Sequence, residues 1–92
     1  MEKETMMYAI EPDLSIRTIS DEIFILKRST STIHSFNATG SFVWSLLQAN
    51  ASFAEIVQSI MSRFGIDRET AEEDVSTFLF TLEKNKLITL RP

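Results

Sequence analysis

The chain has 92 residues, a formal net charge of −4 and no cysteine. Because a chain of this length supports one modest core, we expect a single domain over residues 1–92. The absence of cysteine excludes disulfides, thiolate metal sites and thiol nucleophiles, and it suits a cytoplasmic protein. The acidic balance argues against nucleic acid or an anionic membrane as a partner, and no apolar run has the length of a membrane span.

The chain before Asn37 alternates apolar and polar residues with the period that is typical of β-strands. Residues 1–12 are expected to form a flexible tail, and their start contains no apolar region typical of a signal peptide. Turns at Ser20-Asp21 and Arg28-Ser29 divide the remainder into three strands. The middle strand, Glu22–Lys27, is apolar on both faces, as a central strand would be. The third strand is predicted over residues 30–36 because this segment is rich in β-branched side chains.

Three helices are predicted after the strands. Asn37 is a suitable N-cap for the first helix, which is apolar around most of its circumference and is therefore expected to be central. Ser52 and Glu55 form a capping box for the second helix, which ends at Gly65. Asp67 caps the third helix, and residues 87–90 are expected to add a short strand or to pack on the core. The buried face of the third helix is predicted to contain Ala71, Val75, Phe78, Leu79 and Leu82.

These elements predict an α+β fold, in which a three-stranded antiparallel sheet is followed by three helices with the outline of a winged helix-turn-helix. This outline leaves a DNA-binding or regulatory domain as an alternative. The start of the third helix opposes that alternative, because its acids outnumber the single base Arg68 and would repel phosphates. The acidic residues of this segment are Asp67, Glu69, Glu72, Glu73 and Asp74.

The residues offer little equipment for catalysis. His34 is the single histidine, so it has no second histidine or cysteine with which to complete a triad or a metal-ligand set. The carboxylates at the start of the third helix are explained by the positive end of the helix dipole. Gly40 and Gly65 are the only glycines, and they cannot build a phosphate-binding loop. We therefore expect a non-enzymatic binding module without a metal or a cofactor.

An uncharged segment, residues 29–35, points to a function. It lacks the charges and the proline that usually block pairing at the edge of a sheet, so at an edge it would accept an added peptide strand. The same segment is equally compatible with a central strand or with pairing across a homodimer. Phe80 lies beside the predicted buried face of the last helix, either as an isolated surface aromatic or as part of an apolar patch.

Several motifs, in their order and spacing, resemble PqqD-like proteins, which are also described as recognition elements for ribosomally made, modified peptides. The family's Asn-x-x-Gly stretch, followed by an aliphatic residue, Trp and a Leu pair, is present as Asn37-Ala38-Thr39-Gly40 and Val43-Trp44-Ser45-Leu46-Leu47. Phe53-Ala54-Glu55-Ile56-Val57 and Arg63-Phe64-Gly65-Ile66-Asp67 are similar to the next helix and its junction with the last one. Arg28-Ser29-Thr30-Ser31 replaces the Tyr-Pro-Glu-Gly-like stretch of strict PqqD chains, which indicates a PqqD-like relative.

The resemblance implies a peptide chaperone in which the leader of a precursor peptide adds to the third strand and lies against the third helix. It also implies presentation of that peptide to a modifying enzyme, often a radical-SAM protein, or to a leader peptidase, in PQQ biosynthesis or another modified-peptide pathway. On the strand of this chain, the implied peptide-binding residues are Thr30, Ser31, Thr32, Ile33, His34 and Ser35. On the last helix they are Asp74, Thr77, Phe78 and Thr81.

Overall fold

The computed structural model describes residues 5–91. The elements in chain order are β1 (Tyr8–Ile10), β2 (Leu14–Ile19), β3 (Glu22–Lys27), β4 (Thr32–Phe36), α1 (Ala38–Gln48), α2 (Phe53–Phe64), α3 (Arg68–Lys84) and β5 (Ile88–Leu90). β2, β3 and β4 form a three-stranded antiparallel sheet that precedes the three helices. The α+β fold expected from the sequence is therefore confirmed.

The three-stranded sheet is a meander with β3 in the centre and β4 at one edge. Ile25 of β3 pairs with Ile16 of β2 and with His34 of β4, and its side chain is completely buried. This central position explains why β3 is apolar on both faces. Of the alternatives that the sequence left open for the third strand, the structure places it at an edge.

β4 begins at Thr32 and not at Thr30, where the β-branched pattern predicts its start. Thr30 and Ser31 instead belong to the turn between β3 and β4, in which the Ser31 N–H donates to the Arg28 carbonyl at 3.3 Å. Ser31 has a φ of 53°, which lies in the left-handed region and is incompatible with an extended strand. β-branched composition alone did not reveal where the turn ends.

A second, two-stranded sheet lies where the sequence suggested part of a flexible tail. β1 pairs antiparallel with β5, and Tyr8 stands opposite Leu90. Tyr8 is only 5% exposed, so this segment is held in the core. Burial raises the pKa of Tyr8, and the nearby charge of Glu83 adds to the effect. A strand of three residues that depends on a partner at the other end of the chain leaves no local periodicity to detect.

The predicted ends of the first two helices are confirmed. The side chain of Asn37 caps α1, and Ser52 and Glu55 form the capping box of α2. Gly65 ends α2 with a φ of 64°, which glycine adopts without strain. None of the helices within residues 5–91 combines the length and the apolar character needed to cross a membrane.

The core lies between the sheet and the helices, and α1 is at its centre. α1 contacts α2 and the strands β1, β3 and β4, as its apolar circumference predicted. Its Trp44 side chain is completely buried. The other helices add buried side chains from one face each, namely Phe53, Ile56, Val57 and Ile60 of α2, and Ala71, Val75, Leu79 and Leu82 of α3.

The N-cap of α3 gives the stability of the fold a specific pH dependence. The Asp67 carboxylate accepts the Thr70 N–H at 2.9 Å, and this hydrogen bonding lowers the pKa of Asp67 below its ordinary value of 3.8. Because the folded-state pKa is lowered, the stabilisation is present above the unfolded pKa and is lost as the pH falls through the folded value. Asp67→Asn keeps a capping oxygen but removes the titrating group. We expect this variant to lose less stability than the parent chain between about pH 5 and pH 2.

Urea unfolding of both chains across this pH range measures the difference. Asp13, whose pKa is also lowered, is present in both chains, so its contribution cancels. Equal losses of stability in the two chains would contradict the role assigned to Asp67.

Candidate functional site

The direction of the backbone groups in β4 follows from the hydrogen bonds of its neighbour. The Arg28 N–H, just after β3, donates to the Asp13 carbonyl, just before β2, at 3.1 Å. Backbone groups alternate between the two sides of a strand, so the odd-numbered residues of β3 direct their N–H and C=O groups towards β4. Their partners in β4, which hold the ladder hydrogen bonds, are Thr32, His34 and Phe36.

Ile33 and Ser35 are consequently the residues of β4 whose backbone N–H and C=O groups point to the free edge of the sheet. The Ile33 side chain is 72% exposed, and Ser35 is also exposed. β4 contains no formally charged residue and no proline, which are the usual means of blocking an edge. This edge is therefore open to an added strand.

A groove lies beside this edge, between the end of β4, the start of α1 and one face of α3. Its volume is about 690 Å³. The wall formed by α3 presents Asp74, Thr77, Phe78 and Thr81, which recur at the spacing of one helix face. A chain added to the edge of β4 would lie along this wall.

Phe36 and Phe78 form the aromatic floor of the groove. The Phe36 ring lies 5.2 Å from the Phe78 ring in an edge-on arrangement and 5.8 Å from the ring of Trp44, measured between centroids. Gly40 allows this close approach of α1, because a Cβ atom at Gly40 would lie 3.0 Å from the Phe36 Cβ and 3.2 Å from two ring atoms of Phe78. The two aromatic rings are thus held between three elements.

Ser41 joins the end of the sheet to α1 beside this floor. Its hydroxyl accepts the Ile23 N–H at 2.9 Å and donates to the Phe36 carbonyl at 3.2 Å. Ser41 is only 7% exposed, so water cannot easily replace these bonds. The hydroxyl bridges the last pair of the β3–β4 ladder and fixes the backbone of Phe36.

The structure divides the predicted peptide-binding residues between two cavities. Those that line the groove are Ser35, Asp74, Thr77, Phe78 and Thr81. A smaller cavity of about 260 Å³ is lined by Thr30, Thr32 and His34 together with Lys27, Lys84, Asn85 and Lys86. Ser31 and Ile33 line neither of these cavities, although the backbone of Ile33 faces the free edge.

Several residues that line the two cavities were not predicted from the sequence. Phe36 was included in the third strand but was not assigned to the site, although an aromatic residue at a strand–helix junction is a recognisable signal. Lys84 and Lys86, at and just after the end of the last helix, were not assigned to the site. Ile60 and Phe64 of α2 line the groove from a distant part of the chain, and no local pattern indicates this. Phe80, in contrast, is 65% exposed and lies outside both cavities.

The turn between β3 and β4 is tied to the start of β2. The Asp13 carboxylate accepts the Ser29 N–H at 2.9 Å. Hydrogen bonding from Ser29 lowers the pKa of Asp13, and the charges of Lys27 and Arg28 add smaller contributions. This contact holds the turn at the second cavity in place.

The chemistry of the groove is that of a binding surface with an aromatic floor, hydroxyl groups and carboxylates. Exposed polar residues, including Ser35, Thr77 and Thr81, surround the half-buried rings of Phe36 and Phe78. Within residues 5–91, no group of three or more histidine, aspartate or glutamate residues is placed to hold a metal ion.

Comparisons with known proteins agree with this geometry. Residues 22–88 match the family described as Coenzyme PQQ synthesis protein D (PqqD). A solved structure described as TbiB1 in complex with the TbiA(beta) leader peptide is 34% identical, with a TM-score of 0.83 over 86% of this chain and 92% of that one. A second, lasso peptide synthetase B1 complexed with the leader peptide, shares the fold at 20% identity, with a TM-score of 0.79 over 89% of this chain and 96% of that one. No curated protein sequence is significantly similar to the chain.

The packing of the floor predicts different effects for two neighbouring aromatic residues of α3. Phe78→Ala removes a half-buried ring that contacts Phe36, so we expect the free energy of unfolding to fall by about 2 kcal/mol. Phe80→Ala removes an exposed ring and should change it by less than about 0.5 kcal/mol. Urea unfolding followed by the fluorescence of Trp44 measures both values. Equal losses in the two variants would show that Phe78 does not form the floor.

Proposed function

Because the chain belongs to the PqqD family, we propose that it is a non-catalytic module that captures the leader region of a ribosomally made precursor peptide. The leader adds as a strand to the free edge of β4 and lies against α3. The observation that carries this proposal is the uncharged, exposed edge of β4 beside a groove with an aromatic floor. This is the geometry of peptide recognition by strand addition.

The relative with the higher identity supports the proposal. TbiB1, which is 34% identical to this chain, is described in complex with the TbiA(beta) leader peptide. A leader on this chain would gain hydrogen bonds to the backbones of Ile33 and Ser35, at about 1 kcal/mol each. One apolar side chain placed on Phe36 and Phe78 adds about 2 kcal/mol. The cost of ordering a disordered peptide offsets part of this gain, so binding is moderate and reversible.

The chemistry that follows capture belongs to a partner enzyme. The captured leader holds the rest of the precursor near a modifying enzyme, such as a radical-SAM protein, or near a leader peptidase. The pathway proposed is PQQ biosynthesis, to which the family name points, or another modified-peptide pathway. A chain without cysteine that meets a newly made ribosomal peptide fits a cytoplasmic location.

Two other uses of the same surfaces are less well supported. A winged-helix protein would place the start of α3 in the major groove of DNA, where Asp67, Glu69 and Asp74 would face phosphates with repulsion. A homodimer paired through β4 would occupy the edge that the peptide needs. A dimeric mass in solution that persists when a leader peptide is added would favour this second use.

The alternation of backbone groups in β4 predicts which proline substitution blocks capture. Ile33→Pro removes an N–H that faces the free edge and leaves the ladder to β3 intact, so the fold should survive while peptide capture is lost. Ile33→Ala is the matched control, because it keeps the N–H. The measurement is a ¹⁵N amide titration with the TbiA(beta) leader peptide up to millimolar concentration. We expect shifts at Thr32–Phe36 and at residues 74–81 in the parent chain and in Ile33→Ala, but not in Ile33→Pro.

The contradicting outcomes of this titration are distinct. Shifts that persist in a folded Ile33→Pro variant would place the peptide away from the edge of β4. A parent chain without shifts at either segment would argue against capture of this relative's leader at β4 and α3. Thr32→Pro is not a substitute, because it removes a donor of the ladder to β3 and would disturb the sheet.

A further inference from the structure

One face of α3 and the turn after it, from Glu73 to Lys86, form a track beside β4. This track carries opposite charges at its two ends. Glu73 and Asp74 line the groove at the start of α3. Lys84 and Lys86, at the other end of α3, line the second cavity. Between them, Phe78 and the threonines of α3 face the same side, because residues three or four apart share one helix face.

The strand runs along this charge gradient. The contact between Phe78 and Phe36 places the end of β4 beside Phe78, which precedes Lys84 by six residues in α3. Thr32, at the start of β4, shares the second cavity with Lys84 and Lys86. β4 therefore starts at the basic end of the track and finishes towards its acidic end.

The helix dipole alone does not account for the basic end. Acids at the start of α3 and Lys84 in its last turn are favoured by the dipole. Lys86 lies in a turn beyond the helix, with a φ of 58°. Its carbonyl accepts a hydrogen bond from the ammonium group of Lys27 at 2.7 Å. This hydrogen bond brings cationic side chains from β3 and from the chain after α3 to one place beside β4. The negative charge of Asp13 offsets part of the positive charge of Lys27, so the net positive charge at this end comes mainly from Lys84 and Lys86.

The length of the track sets the spacing that it can recognise. Asp74 and Lys84 are ten positions apart on α3, which corresponds to a rise of about 15 Å along the helix. An extended peptide advances about 3.3 Å per residue and covers this distance in four to five residues. Side chains on one face of a strand recur at every second residue. Three side chains of the peptide, at positions i, i+2 and i+4, therefore face the track.

We propose that the peptide recognised here has a basic residue, then an apolar residue two positions later and an acidic residue four positions later. The basic residue lies at Asp74, the apolar residue on the floor of Phe36 and Phe78, and the acidic residue at Lys84 and Lys86. The N-to-C order follows from antiparallel pairing with β4, which is the more stable arrangement and the one found in the rest of the sheet. This inference rests on the proposed capture of a peptide at β4, and it specifies the class of peptide.

Selection from a displayed library of random 12-residue peptides tests the inference directly. The parent chain, immobilised as a whole, should enrich peptides with the basic, apolar and acidic residues in this order and spacing. The binding of these peptides should be lost on Ile33→Pro. On the double variant Lys84→Gln, Lys86→Asn, the preference for the acidic residue should disappear, and affinity should fall about two- to fivefold for each exposed ion pair that is lost.

A matched variant, Arg68→Gln with Arg91→Asn, removes two positive charges that line neither cavity and should bind like the parent chain. Enriched peptides that need the edge of β4 but have no charge order would overturn the inference and leave the capture of peptides standing. Peptides with the opposite charge order would overturn it as well. If no enriched peptide is sensitive to Ile33→Pro, both this inference and the proposed function fail.

Discussion

Phe36 helps to fix the position of the free edge of β4 relative to helices α1 and α3. Its ring packs between Trp44 of α1 and Phe78 of α3, and its carbonyl is held by the Ser41 hydroxyl. Each such aromatic pair contributes about 0.5–1.5 kcal/mol beyond the area that it buries. Because these contacts act on the last residue of β4, they hold the edge of the sheet and one face of α3 as two walls of a single groove.

Local rules account for the parts of the structure that were predicted well. Asn37, Ser52 and Gly65 define helix ends through hydrogen bonds and backbone angles within a few residues, so the sequence alone reveals them. β1 and the edge position of β4 depend on pairing with distant parts of the chain, and neither was determined from the pattern. The residues of the candidate site show the same difference between local and long-range signals. Residues of α3 were anticipated from the family pattern, whereas Ile60, Phe64 and Lys86 reach the cavities only through the fold.

Strand addition divides recognition into two physical parts. In the proposed mode, the backbone groups of Ile33 and Ser35 would bind any extended peptide equally, since every residue except proline offers the same N–H and C=O groups. Selectivity must therefore come from side chains that face α3, where an aromatic floor lies between acidic and basic residues. A site of this kind would hold a leader with moderate affinity and release it again, because ordering the peptide offsets part of the contact energy.

Amide hydrogen exchange at β4 tests the central claim, that a leader peptide adds to the free edge of this strand. In the free chain, the amides of Ile33 and Ser35 should exchange quickly, whereas those of Thr32 and His34 should be protected by the ladder to β3. The TbiA(beta) leader peptide, described in complex with the relative TbiB1, is the probe. If it adds to β4 of this chain as proposed, saturation should slow exchange at Ile33 and Ser35 and change little at Thr32 and His34. Fast exchange at Ile33 and Ser35 in the saturated complex would contradict the account, because a bound strand cannot leave those amides open to water.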